Sequence, residues 1–237
     1  MNADLAYALE LADAADALTL PRFRASDLNV ETKSDLTPVT DADRATERML
    51  RDRIAQDRPG ESVLGEEEGD DGGAVRWIVD PIDGTRNFSR GIPVWATLIA
   101  LEREGNIVCG VVSAPALGRR WWAARGEGAS ANGSAIGVSA VAKLGDATVS
   151  CTYGRDLARL EPLVWHARGL GDFWQHMLVA EGALDAAVDV KLAPWDFAAL
   201  EPIVIEAGGR LDEFRGQTVS TNGLVHDQLL AALELVP

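Results

Sequence analysis

The chain predicts an α+β protein built in layers. Two amphipathic helical patterns fill most of the first 56 residues. Alternating strands joined by a tight hairpin follow between residues 94 and 125. Up to that point strands do not alternate with helices, as a doubly wound βαβ repeat would require. At 237 residues the chain can bury a substantial core. No linker, low-complexity tract or internal repeat divides it, so 1–237 reads as one domain with halves of about 1–135 and 136–237.

Within residues 3–24, Leu5, Leu9, Ala12, Ala15, Leu18 and Leu20 recur at roughly helical spacing. Residues 31–40 are polar and contain Pro38, so they read as a loop or irregular hairpin. Thr40 or Asp41 caps a second helix running to about Gln56, with Ala45, Met49, Leu50 and Ile54 on its apolar face. Residues 62–65 form a short strand that leads into the acidic run 66–71, a solvated loop apart from its first residue. Trp77, Ile78 and Val79 form the next strand, ending in a tight turn. Residues 94–104 and 106–115 alternate as strands about a turn at 103–106. Residues 119–125 continue the meander, and 126–133 read as a turn-rich loop. That loop is only loosely like a dinucleotide-binding turn and opens no helix. In the second half, 147–152 and 183–188 read as strands. Helices are expected within 155–167, from about 171 to Glu181, and after Pro194, the last ending at Gly208 and Gly209. Residues 210–212 and the region near Leu230 read as edge strands or a last short helix.

Composition excludes several classes. The net charge of -15 disfavours nucleic-acid binding, which needs a basic face. No apolar run approaches the ~18 residues of a membrane span. The first residues lack a basic n-region, and the expectation is a cytoplasmic, reduced protein. Cys109 and Cys151 lie in apolar segments and match no zinc spacing, so they read as core. His166, His176 and His226 read as surface or core residues.

The stretch from Val79 to Thr85 carries the chemistry. Asp80 and Asp83 sit where a strand gives way to a turn, and carboxylates bind a hard cation. Gly84 and Thr85 follow at the start of a short helix, where free N–H groups bind phosphate. Glu66 lies at the neighbouring strand end and faces the same crevice. Carboxylates about 4 Å apart repel by roughly 4 kcal/mol at an effective dielectric near 20, so several converging here need a counter-cation. All-oxygen donors favour Mg²⁺ over zinc. The Ile82 carbonyl can complete a metal shell, and Glu66 with the Thr85 hydroxyl can activate a water. Asp43 and Asp196 each fall in the first turn of a helix, where an acid also has a plain capping role.

Four motifs then resemble the inositol-monophosphatase-like family of Mg²⁺-dependent phosphatases. Residues 79–85 are similar to its D-P-(I/L)-D-G-T signature, and Gly65-Glu66-Glu67 to its G-E-E motif. Trp195-Asp196-Phe197-Ala198-Ala199 with Glu206-Ala207-Gly208-Gly209 resembles its C-terminal motif, and Thr40-Asp41-Ala42-Asp43 its early T-x-x-D element. The resemblance implies a layered αβαβα sandwich, a homodimer, and two or three Mg²⁺ per active site. It implies Glu66, Asp80, Ile82, Asp83 and Asp196 as metal ligands, with Asp80 bridging. Thr85 then assists the attacking water, with Asp43 behind it and Lys33 nearby. Gly84, Thr85, Asp189 and Lys33 are expected to meet the substrate, a small phosphate monoester.

Within the family, residues 87–98, 171–174 and 177–182 are most similar to the bacterial histidinol-phosphate phosphatase branch. Acids at Asp172, Glu181 and Asp189 suit a cationic substrate better than a neutral polyol. Asp189 also matches a residue that grips a sugar hydroxyl, so inositol 1-phosphate or another sugar or nucleotide monophosphate stands as the alternative substrate. A non-catalytic metal- or phosphate-binding regulator is the reading from another class.

Overall fold

The computed structural model describes residues 2–234. The chain opens with α1 (Ala3–Arg22), the hairpin β1 (Val30–Thr32) and β2 (Pro38–Thr40), and α2 (Asp41–Asp57). Next come β3 (Ser62–Gly65), β4 (Gly69–Asp70), β5 (Val75–Asp83), α3 (Thr85–Arg90), β6 (Ala96–Arg103) and β7 (Asn106–Ala114). The first large unit closes with β8 (Arg119–Ala124), β9 (Ala129–Ala131) and β10 (Ser134–Ala135). The second contains β11 (Thr148–Cys151), α4 (Gly154–Leu160), β12 (His166–Arg168), α5 (Asp172–Ala180) and β13 (Ala186–Val190). It ends with α6 (Pro194–Phe197), α7 (Leu200–Glu206), β14 (Arg210–Phe214), β15 (Gln217–Thr221) and α8 (His226–Glu234).

Eight strands pair in the order β10-β9-β8-β7-β6-β5-β3-β4, antiparallel except for β3 beside β5. Five pair in the order β12-β11-β13-β15-β14, with β11 parallel to both of its neighbours. Glu104 and Gly105 both have positive φ, as the two-residue turn between β6 and β7 requires.

Alternation along β5 divides the core. Trp77 and Val79 face α1 and α2, packing with Leu11, Leu50 and Ile54. Ile78 faces the other way, into a layer shared with Phe173 and Met177 of α5 and Leu200, Ile203 and Val204 of α7. Beyond it lies the five-stranded sheet, whose Val149, Val188 and Val219 are covered by Leu160 of α4 and Leu229 and Ala232 of α8. Helix, sheet, helix, sheet and helix therefore stack as an αβαβα sandwich. Asp80 has the parity of Ile78 and so points into the central layer. That layer lies close on the sheet because Gly110 of β7 has no side chain: a Cβ there would stand 2.5 Å from the Ala199 carbonyl between α6 and α7.

The sequence reading differs from the structure at six places. β5 runs on through Asp83, with a register shift between Asp80 and Asp83, instead of ending at Val79. Residues 126–133 contain β9, because pairing continues along Trp121–Ala123. The acidic run contributes β4 through two backbone pairs to Leu64 and Gly65. The helix after Pro194 is two segments. β15 lies inside its sheet although its Ser and Thr residues give it a polar pattern, and β12 is an edge strand that sequence reading passed over.

Candidate active site

β3 and β5 run side by side with Gly65 opposite Val79, so Glu66, just past β3, and Asp80, within β5, come out next to each other. An open cleft of about 190 Å³ lies there, lined by Thr37, Pro38, Glu66, Asp80, Asp83 and Asp172 among others. Asp80, Asp83 and Asp196 each place a carboxylate oxygen within 4.8 Å of the others. Sequence pattern alone did not bring Asp196 here. The central helix layer does, by setting α6 over the end of β5.

Each acid uses one oxygen locally. Asp80 Oδ1 accepts the Ile82 N–H at 2.9 Å, which stabilises the bulge. Asp83 Oδ2 accepts the Phe173 N–H at 2.8 Å. Asp196 Oδ2 accepts the Ala193 N–H at 3.3 Å and caps α6. Asp43 closes the capping box of α2 through the Thr40 N–H at 2.8 Å, and its Oδ1 accepts the Thr85 hydroxyl at 3.2 Å. The capping roles read for Asp43 and Asp196 are therefore real and coexist with places at the site. The Thr85 hydroxyl also lies 2.9 Å from the Ile82 carbonyl. Gly84, with φ +83, precedes α3, and a Cβ there would come 3.0 Å from the Val94 carbonyl. The first N–H groups of α3 have no helical acceptor, and Gly84 and Thr85 line the cleft.

Electrostatics single out this group. Burial, then the nearby charge of Glu66 and Asp196, pushes the Asp80 carboxyl well above its ordinary range. Burial and then Asp172 do the same to Asp83. Burial and then Glu66 raise Asp196 to about 6, and burial raises Asp43 to about 6. Buried carboxylates that repel one another and offer only oxygen fit a hard divalent cation.

Lys33 comes from the β1–β2 hairpin. Its Nζ lies 2.8 Å from Glu66 Oε1 and also bonds Glu67. Burial disfavours its charge, but these two hydrogen bonds outweigh that and raise its pKa. Glu66 thus lines the cleft with Lys33 as partner and lies outside the tight group of three aspartates. Asp189 is buried behind the cleft wall, where Oδ2 accepts the Gln175 amide at 2.7 Å and Oδ1 the Val190 N–H at 2.7 Å. Burial opposes its charge, yet the His176 ring, the Thr152 hydroxyl and the Val190 N–H together hold the carboxyl below its ordinary value. Glu181, read as facing a cationic substrate, instead bonds Arg119 and the Trp121 indole.

The chain matches the model of the inositol monophosphatase family over residues 2–235. The chain belongs to that family. This makes it a phosphatase, a phosphoric monoester hydrolase. It is 51% identical to a histidinol-phosphatase of Mycobacterium tuberculosis, with 97% of each chain covered. It is 36% identical to a fructose-1,6-bisphosphatase/inositol-1-monophosphatase of Thermotoga maritima, covering 88% of this chain and 87% of that one. Among solved structures, a Thermotoga maritima IMPase superposes with a TM-score of 0.92 at 34% identity, covering 98% and 97%.

The sequence reading missed Glu47 and Arg86. Arg86 lines the cleft beside Gly84. Glu47 is fully buried on α2 and accepts the N–H groups of Glu67 at 2.8 Å and Glu68 at 2.9 Å, so it shapes the turn that carries Glu66. A Glu in a polar helix carries no signal of this. The signal was Gly65, where a Cβ would stand 2.1 Å from Glu47 Oε1. Gly65→Ala is expected to displace that carboxylate and lower stability by about 1–3 kcal/mol, with a larger proportional loss of phosphatase activity as Glu66 shifts. Urea denaturation and steady-state assays check both, and a variant of unchanged stability and activity would contradict the role given to Glu47.

Proposed function

We propose that the protein is a Mg²⁺-dependent histidinol-phosphate phosphatase, hydrolysing L-histidinol phosphate to L-histidinol and phosphate. The convergence of Asp80, Asp83 and Asp196 on one cleft supports the metal-dependent chemistry. The identity of 51% to a histidinol-phosphatase over nearly the whole chain supports the substrate. Asp80, Asp83, Asp196, Glu66 and the Ile82 carbonyl would hold two or three Mg²⁺. When bound, the metal neutralises phosphate charge, stabilises the leaving group and acidifies water.

The chain's own residues do the rest. Gly84 and Thr85 N–H groups hold phosphate oxygens at the start of α3. The Thr85 hydroxyl proton is directed at Asp43 or the Ile82 carbonyl, which leaves an oxygen lone pair to orient the attacking water. Glu66 takes the proton from that water. Lys33 bonds both Glu66 and Glu67, so it retains Glu67 as a partner once Glu66 takes up that proton. Water oxygen bonds phosphorus, the ester oxygen leaves, and it takes up a proton as the alcohol. No side chain needs to act as nucleophile.

Supplied with Mg²⁺ and a panel of phosphate esters, the purified protein is expected to favour histidinol phosphate. Turnover of inositol 1-phosphate that equals or exceeds it would remove the substrate assignment. Absence of phosphate release from any ester despite Mg²⁺ binding would favour the regulator reading. Asp80→Asn is expected to lower kcat on the order of 10³-fold or more and to abolish the rise in Tm that Mg²⁺ gives the native protein, a rise of about 2.7 kcal/mol in stability at a hundredfold excess over Kd. Wild-type turnover in that variant would contradict the metal-holding role given to Asp80. The reading also includes a cytoplasmic homodimer, whose assembly sedimentation checks; a monomer at assay concentration would exclude it.

A further inference from the structure

One carboxylate in the cleft has no task in metal or phosphate binding. Asp172 lines it beside Asp83, Gly84 and Arg86, outside the close group of Asp80, Asp83 and Asp196. Its Oδ2 accepts the Asn87 side-chain amide at 2.9 Å, the one hydrogen bond to this carboxylate among the described residues. Arg86 lies near enough to favour its charge but forms no ion pair with it. Asp189 behind it is already tied to Gln175, Val190 and His176. The Asp172 charge is thus the one on this wall that neither a protein cation nor the proposed metal set accounts for.

Its position is built. Asp172 has φ +50, a left-handed conformation that Gly, Asn and Asp adopt more readily than other residues. The next residue, Phe173, donates its N–H to Asp83. Asp172 is therefore fixed one residue from the contact that anchors a metal-site acid. In a phosphate ester of a 2-amino alcohol, the ammonium sits on the carbon next to the one bearing the ester oxygen, so with phosphate at Gly84 and Thr85 it falls just past the metal-site acids. We propose that Asp172 is the specificity residue of this enzyme and receives that ammonium through a charge-assisted hydrogen bond, an inference that rests on the phosphatase reading above. Polyol phosphates offer only neutral hydroxyls to the same carboxylate, and Asp172 repels the phosphate dianion, which fixes the direction in which the substrate lies.

The test compares histidinol phosphate with its deaminated analogue, the imidazolylpropyl phosphate, in wild type and in Asp172→Asn. Asn tolerates the left-handed φ and keeps the shape of the side chain. Wild type is expected to prefer the amine ester by on the order of 10- to 100-fold in kcat/KM, mostly through KM. In Asp172→Asn that ratio is expected to fall to within about threefold of unity, so that the two changes interact as a double-mutant cycle. Asp172→Gly, also free of strain at this φ, is expected to give the same ratio and guards against a fold-specific artefact. A variant that keeps the wild-type ratio, or a wild type indifferent to the amine, overturns the inference. Poor histidinol phosphate turnover relative to inositol 1-phosphate overturns the substrate reading instead.

Discussion

The structure depends on holding Asp80, Asp83 and Asp196 together at one cleft, Asp80 buried and the other two half-buried. Left alone, such carboxylates repel one another and resist ionisation, as their raised pKa values record. Local hydrogen bonds fix each one, and the converging oxygens suit a cation that would offset their repulsion. The surrounding architecture follows from that demand. β5 bulges so that Asp80 and Asp83 both reach the cleft, α5 begins against Asp83, and α6 begins over Asp80.

Division of labour within single side chains makes this possible. Asp43 caps α2 with one oxygen and holds the Thr85 hydroxyl with the other. Asp196 caps α6 with one oxygen while its carboxylate stands in the acid group. Helix starts offer N–H groups that need acceptors, and a carboxylate anchored there is rigid without spending both oxygens. The same economy appears one step back. Glu47, paired with Arg51 at 2.9 Å, fastens the turn after β3 so that Glu66 emerges beside Asp80.

Much of the site was legible as pattern. The Asp80–Thr85 turn, Glu66 at a neighbouring strand end and the caps of α2 and α6 are local features, readable because they depend on residues a few positions apart. The αβαβα sandwich was legible only through resemblance, since helix and strand patterns do not state which faces meet. β15 was lost because its Ser and Thr residues hide an interior strand, and β9 because its turn residues dominate a short pair. Asp189 and Glu181 carried the right charge for a cationic substrate, but burial and partners turn both away from the cleft.

The sequence by itself determined the turn, its carboxylates and the start of α3, because backbone geometry there follows from Gly84, Pro81 and the strand before them. Only the tertiary structure decided that Asp196 joins Asp80, that Lys33 guards Glu66, and that Asp172 faces the cleft while Asp189 does not. Those outcomes turn on strand parity in β5 and on how closely Gly110 lets the central helices approach the sheet. The residues involved lie far apart in sequence, so packing between layers, not local preference, sets their distances.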